Sequence, residues 1–166
     1  MKVFFAVIVF CFVIHGALYA QKNAPAAQKT PIAVQKVATV EYLQNLSKSE
    51  HATVGDAVRL FSLQSGKGYK NFDAGLSSIK QEGILPEKQY DEQDNLSRGL
   101  LAFMVARYLK LSDSLWFNLF GAERYAYNAC ASAKIMPEGK SEWDRMSGPD
   151  LIEMLGKISE RTEAEE

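Results

Sequence analysis

A short hydroxyl residue followed by apolar residues four, seven and eight positions later occurs three times in this chain. A repeated unit of this kind constrains the chain to stack its copies into one architecture. The two clearest copies are Ser97 with Leu101, Met104 and Val105, and Ser147 with Leu151, Met154 and Leu155; the third is Thr53 with Ala57, Leu60 and Phe61. Apolar residues at this spacing share one face of an α-helix, and Tyr108 and Ile158 extend the two longer stripes by a turn. A hydroxyl just ahead of such a stripe can accept from the unpaired N–H groups of the first turn, so Thr53, Ser97 and Ser147 are expected helix N-caps. Asp56 and Asp150 stand three residues past their caps, where a carboxylate reaches back to the cap and meets the positive end of the helix dipole. Leu96 with Leu101, and Met146 with Leu151, occupy staple positions across the cap, and Pro149 falls where a missing N–H costs nothing.

A second kind of helix precedes the two later caps. Asp73 is expected to cap a segment running to Glu82, with Leu76 and Ile79 inward and Gly83 ending it in the left-handed conformation. Its counterpart, from Glu123 to Lys134, carries Ala126, Ala129, Cys130 and Ala133 as a narrow stripe that lets a neighbouring helix come close. Ile84-Leu85-Pro86-Glu87 and Ile135-Met136-Pro137-Glu138 follow these helices, 51 residues apart, and each leads through a polar loop to the next cap. Before the first copy, Val37, Val40, Leu43 and Leu46 suit a helix, while the β-branched residues there leave strand open. The expected fold is all-α, a compact repeat of helix-loop-helix units in residues 39–158.

The two ends read differently. Met1-Lys2 is followed by an apolar run to Ala20, which reads as a signal peptide over residues 1–20, with an uncleaved membrane anchor as the alternative. Residues 21–31 carry two prolines and no large apolar side chain, so residues 21–38 are expected to form a flexible tether, and residues 159–166 read as an acidic, solvated tail. These features imply a periplasmic or extracellular protein of the cell envelope. Without residues 1–20 the chain keeps one cysteine, Cys130, and one histidine, His51, so it can build neither an internal disulfide nor a His/Cys zinc cluster, and no metal or cofactor is expected. Of 19 basic residues Lys2 is lost, leaving 18 against 20 acidic ones, a balance that does not favour nucleic acid or anionic lipid as a partner.

The unit of helix, Ile-x-Pro-Glu turn, polar loop and capped helix resembles the S-layer homology family. Phe72-Asp73 is similar to the family's entry to its first helix, Glu82-Gly83-Ile84 to its Gly-Ile turn, Tyr90 to the aromatic seven residues before the cap, and Leu96-Ser97-Arg98-Gly99 to its Thr-Arg-Ala-Glu-like motif. The likeness is best over residues 72–110 and weaker over 50–64 and 122–158. It implies a pseudo-threefold helical bundle whose motif arginines bind an anionic cell-wall polysaccharide in grooves between repeats. Only Arg98 keeps that arginine; Val54 and Gly148 stand at the equivalent positions, Leu100 replaces the acidic residue, Glu92 the loop proline and Lys140 the last aromatic.

Arg98 is the first candidate for binding. At the start of a helix its guanidinium would add to exposed N–H groups and grip a carboxylate or phosphate in two-point fashion; the alternative is a surface ion pair with Asp94 or Glu92. Trp143, in a polar loop, is the second, offering a flat face to a sugar ring, whereas Trp116 is expected in the core. Cys130 on an alanine-rich face reads as a buried inert thiol, and Asp91, Glu92 and Asp94 as a solvated loop lacking the pattern of a calcium site. No arrangement of acids and bases suggests catalysis, so the expectation is a non-enzymatic envelope module binding a cell-surface polymer or an envelope protein. The alternative is a periplasmic scaffold or assembly factor that holds a protein partner in its inter-repeat grooves.

Overall fold

A computed structural model describes residues 32–111 and 115–165, with side chains over 39–111 and 116–163. The expected signal peptide and the first part of the expected tether lie outside the described residues. The chain divides into two compact units, residues 1–37 and 38–166; of the first only the start of a helix is described, and the second holds the buried core. Among the described residues there are seven helices: α1 (Ile32–Leu46), α2 (Val54–Gln64), α3 (Phe72–Gln81), α4 (Arg98–Tyr108), α5 (Leu115–Phe120), α6 (Glu123–Ser132) and α7 (Gly148–Glu165). The fold is all-α, and the strand alternative for residues 37–46 is set aside by α1. That helix also takes in residues 32–38, which the tether reading leaves unstructured.

The three hydroxyl residues stand at the starts of α2, α4 and α7. Thr53 forms a full capping box: its side chain accepts from the Asp56 amide at 3.2 Å, while the Thr53 amide donates to Asp56 Oδ2 at 2.8 Å. Ser97 Oγ accepts from the Leu100 amide at 3.1 Å, and Ser147 Oγ from the Asp150 amide at 3.2 Å. The apolar stripes turn inward, with Phe61, Leu101, Met104, Leu151 and Ile158 fully buried. α3 departs from expectation at its start, where Asn71 and not Asp73 is the cap: Asn71 Oδ1 accepts from the Ala74 amide at 2.9 Å. Its end is as read, with Gly83 at φ 69° and the Ile84 amide returning to the Ile79 carbonyl at 3.0 Å. The same closing bond runs from Ile135 to the Cys130 carbonyl at 2.9 Å, although the left-handed position there is Lys134, at φ 58°.

α4 is the central rod, buried from Arg98 to Ala106 on every side. α6 lies against it through its small residues, close enough for Cys130 Sγ to donate to the Ala102 carbonyl at 3.4 Å. Gly75 does the equivalent for α3 on α2, its Cα side facing Val58 and Ser62 with no room for a methyl group. α7 outruns the expected tail by continuing to Glu165. Thr162 Oγ donates to the Ile158 carbonyl at 2.9 Å, and Ser159 Oγ accepts from Gln64 Nε2 at 3.0 Å, so residues past 158 remain tied to the body.

The residues just before the caps form a closed circuit. Ala52 donates to the Met146 carbonyl at 2.8 Å, Met146 to Leu96 at 2.9 Å, and Leu96 back to Ala52 at 3.0 Å, all three side chains being buried. Outside this ring, each hydroxyl-capped helix receives carbonyls from a loop distant in sequence. Val54 and Gly55 donate to Asp94 and Glu92 at 2.8 and 3.0 Å, Arg98 and Gly99 to Asp144 and Glu142 at 2.8 and 2.7 Å, and Gly148 to Ser49 at 3.0 Å. Pro149, lacking the N–H, makes no second bond of this kind.

Candidate functional site

Arg98 is the first residue of α4, and its place in the ring decides what its side chain can do. Its own amide and that of Gly99 are taken by Asp144 and Glu142, and the Leu100 amide by Ser97 Oγ. The helix N-terminus is therefore filled by protein acceptors, and the expected seat of exposed N–H groups for an anion does not exist. The expected ion pair with Asp94 or Glu92 is likewise absent, for a structural reason: their loop packs on the start of α2 and not of α4. Within that loop Asp94 Oδ2 accepts from the Asp91 amide at 2.8 Å, and Asp91 Oδ1 from the Gln93 amide at 3.1 Å. The later loop repeats the closure, with Asp144 Oδ2 accepting from the Ser141 amide at 3.1 Å.

The Arg98 side chain instead turns into a cavity of about 440 Å³ between α4, the end of α6 and the face of α7. Arg98 is only 9% exposed, and its Nε is buried with no hydrogen-bond partner. Met136, Met146 and Met154 supply apolar wall, while Lys134 and Lys157 add cations and Glu138, Asp150 and Glu153 add carboxylates. Glu153 is engaged with Lys157 at 2.8 Å. Arg98 lines this open, mixed cavity and brings a positive charge to it, which an oxygen acceptor from outside would meet; its buried Nε is closed to such an acceptor. Trp143 is 78% exposed but does not line this cavity, so the two candidate binding residues are not gathered into one site.

A second cavity, of about 240 Å³, has no counterpart in the sequence reading. Arg59 lies 3.8 Å over the Tyr42 ring and 5.5 Å from that of Tyr69, with its Nε also buried and unpartnered. The Tyr42 hydroxyl donates to Asp56 Oδ1 at 2.7 Å; burial first, then that bond, raises its pKa well above the tyrosine range. Burial, then Glu92, raises Tyr69 as well. The available signal was Arg59 as the one basic residue inside the apolar stretch of α2, but only the tertiary fold brings Tyr42 across to it. His51 lines the same cavity and is exposed, whereas Cys130 is fully buried elsewhere, its thiol pushed up to about 12 by burial.

Trp116 is not in the core. Phe117 takes the inward position, edge-on to Phe103 at 5.5 Å, which leaves Trp116 61% exposed. In a run that is apolar at five of six positions, periodicity does not say which face points in. No family model matches the chain, and neither a curated protein nor a solved structure matches it significantly.

Proposed function

We propose that this chain is an exported, non-enzymatic module of S-layer-homology type that binds a carboxylate-bearing polymer of the cell envelope through the Arg98 cavity. The observation that carries the reading is an arginine nine-tenths buried that lines a cavity of about 440 Å³. Two-point contact between guanidinium and carboxylate suits repeated acidic sugars, and the methionine wall suits the apolar face of a sugar ring. The ring through Ala52, Leu96 and Met146 supports a pseudo-threefold arrangement of the three units, in which the cavity falls in a groove between copies. A protein of the envelope presenting a Glu or Asp side chain would use the same guanidinium.

The test is sedimentation of the full chain with peptidoglycan or with acidic envelope polysaccharide. Wild type should pellet with the acidic polymer, Arg98→Ala should stay in the supernatant, and Arg98→Lys should recover only part of the binding, because a point charge cannot reproduce the guanidinium fork. Equal pelleting of wild type and Arg98→Ala would refute the assignment. If no polymer retains the chain, the protein-partner reading takes its place.

A further inference from the structure

α5 is an apolar helix turned partly inside out. Phe117 anchors it in the core, while Trp116, Leu119 and Phe120, at the i, i+3 and i+4 spacing of one helical face, are 61%, 72% and 58% exposed. The rings are organised and not splayed: Trp116 stacks on Phe120 at 5.7 Å with an interplanar angle of 11°, and Tyr125 from α6 lies 6.3 Å from Trp116 and 5.7 Å from Phe120. Exposed large apolar residues gathered in one place mark an interaction surface.

Basic residues stand beside this face, Arg107 in space and Lys110 and Arg124 along the chain. Arg107 holds its guanidinium 5.0 Å from the Phe117 ring and beside Gly121, where the chain leaves α5. Lys110 and Arg124 are exposed on either side of α5 in the chain, and Arg124 directly precedes Tyr125. The one acid described there, Glu123, is bound to Lys88 at 3.3 Å. Tryptophan, leucine and phenylalanine on one face with arginine and lysine beside it is the composition that sits at a membrane–water boundary, the apolar groups among acyl chains and the cations at phosphates. A sugar platform would instead expose one ring face with polar partners beside it; here Trp116 shares its ring surface with Phe120 and Tyr125.

We infer that the α5 face, led by Trp116, Leu119 and Phe120, inserts into the surface of an anionic lipid bilayer. The apolar run between Val3 and Ala20 brings this chain to a membrane as an export signal or an anchor, and one shallow contact more would convert a passing encounter into retention. The whole-chain charge does not attract such a surface; the basic residues beside the face do.

Trp116 is itself the probe, because the only other tryptophan is Trp143 and the N-terminal apolar run contains none. The full chain carrying Trp143→Phe is mixed with vesicles of phosphatidylcholine with or without phosphatidylglycerol, some with brominated acyl chains. Trp116 emission should shift to the blue and be quenched by the bromines in the anionic vesicles, several-fold more weakly in the neutral ones. Leu119→Asp should lower partitioning by about 30-fold, the loss of one large buried apolar side chain, with the helical circular dichroism retained. Lys110→Gln with Arg124→Gln should weaken partitioning and its salt dependence. Vesicles that capture the chain while Trp116 stays unquenched would show that only the N-terminal run inserts, and would overturn the proposal. So would a blue shift that depends on protein concentration and not on lipid, which would make the occupant a second copy.

Discussion

Single glycines carry much of what is specific here, and they do so for opposite reasons. A Cβ on Gly148 would stand 1.8 Å from the Leu46 carbonyl oxygen, backbone against backbone, whereas one on Gly156 meets nothing within 4 Å. Gly148→Ala is therefore expected to cost about 3 kcal/mol by forcing the end of α1 off the start of α7, while Gly156→Ala should gain about 0.5–1 kcal/mol by removing helix-interior glycine. Denaturant unfolding of the two variants checks the difference in sign. Cys130 makes a prediction in pH: its thiol rises from an ordinary 9.0 to about 12 on burial. Above pH 9 the unfolded chain gives up a proton that the folded chain keeps, so the stability contributed by this group is whole below pH 9 and lost as pH climbs through about 12. Wild type should lose stability more steeply than Cys130→Ala between about pH 9 and 11; the comparison removes the raised tyrosines, which act in the same direction in both proteins.

At the scale of elements, the starts of α2, α4 and α7 are doubly determined, by a hydroxyl cap and by carbonyls from a distant loop. α4 is capped by Ser97 from within and by Asp144 and Glu142 from a loop distant in sequence, so removing the hydroxyl leaves the outer bonds in place. Ser97→Ala should then cost about 1 kcal/mol and Leu101→Ala about 2–5 kcal/mol, both read by thermal or urea unfolding; near-zero effects would contradict the packing described. The repeated closure of Asp91 on Asp94 and of Ser141 on Asp144 gives these loop carboxylates a structural use. They hold the loops whose carbonyls then reach the neighbouring helix. α5 shows the limit of reading a face from periodicity: with apolar residues on both sides, the inward choice of Phe117 was made by the space beside Phe103.

In residues 38–166, the circuit through Ala52, Leu96 and Met146 means that each of these three segments loses one of its two ring bonds once another is removed. Unfolding of residues 38–166 should accordingly be one cooperative event. Urea transitions followed by far-ultraviolet circular dichroism and by tryptophan emission should coincide, and separate midpoints would show units that fold independently. Both described cavities lie outside the buried ring, one opening beside α7 and one beside α1, each with a guanidinium whose Nε lacks a partner.

The helical class, the caps at Thr53, Ser97 and Ser147, the inward stripes and the left-handed turn at Gly83 were legible in the amino-acid order, because each rests on contacts within a few residues. Arg98 was legible as a residue worth singling out, though its seat was not: sequence spacing suggested free amides, and a loop distant in sequence occupies them. The Arg59 pair of tyrosines, the cap at Asn71 in place of Asp73, the outward turn of Trp116 and the helical course past residue 158 depended on how the folded segments meet. Local hydrogen bonds and periodicity are encoded along the chain; which carbonyl fills a helix end, and which aromatic is left facing water, is chosen only when distant segments compete for the same space.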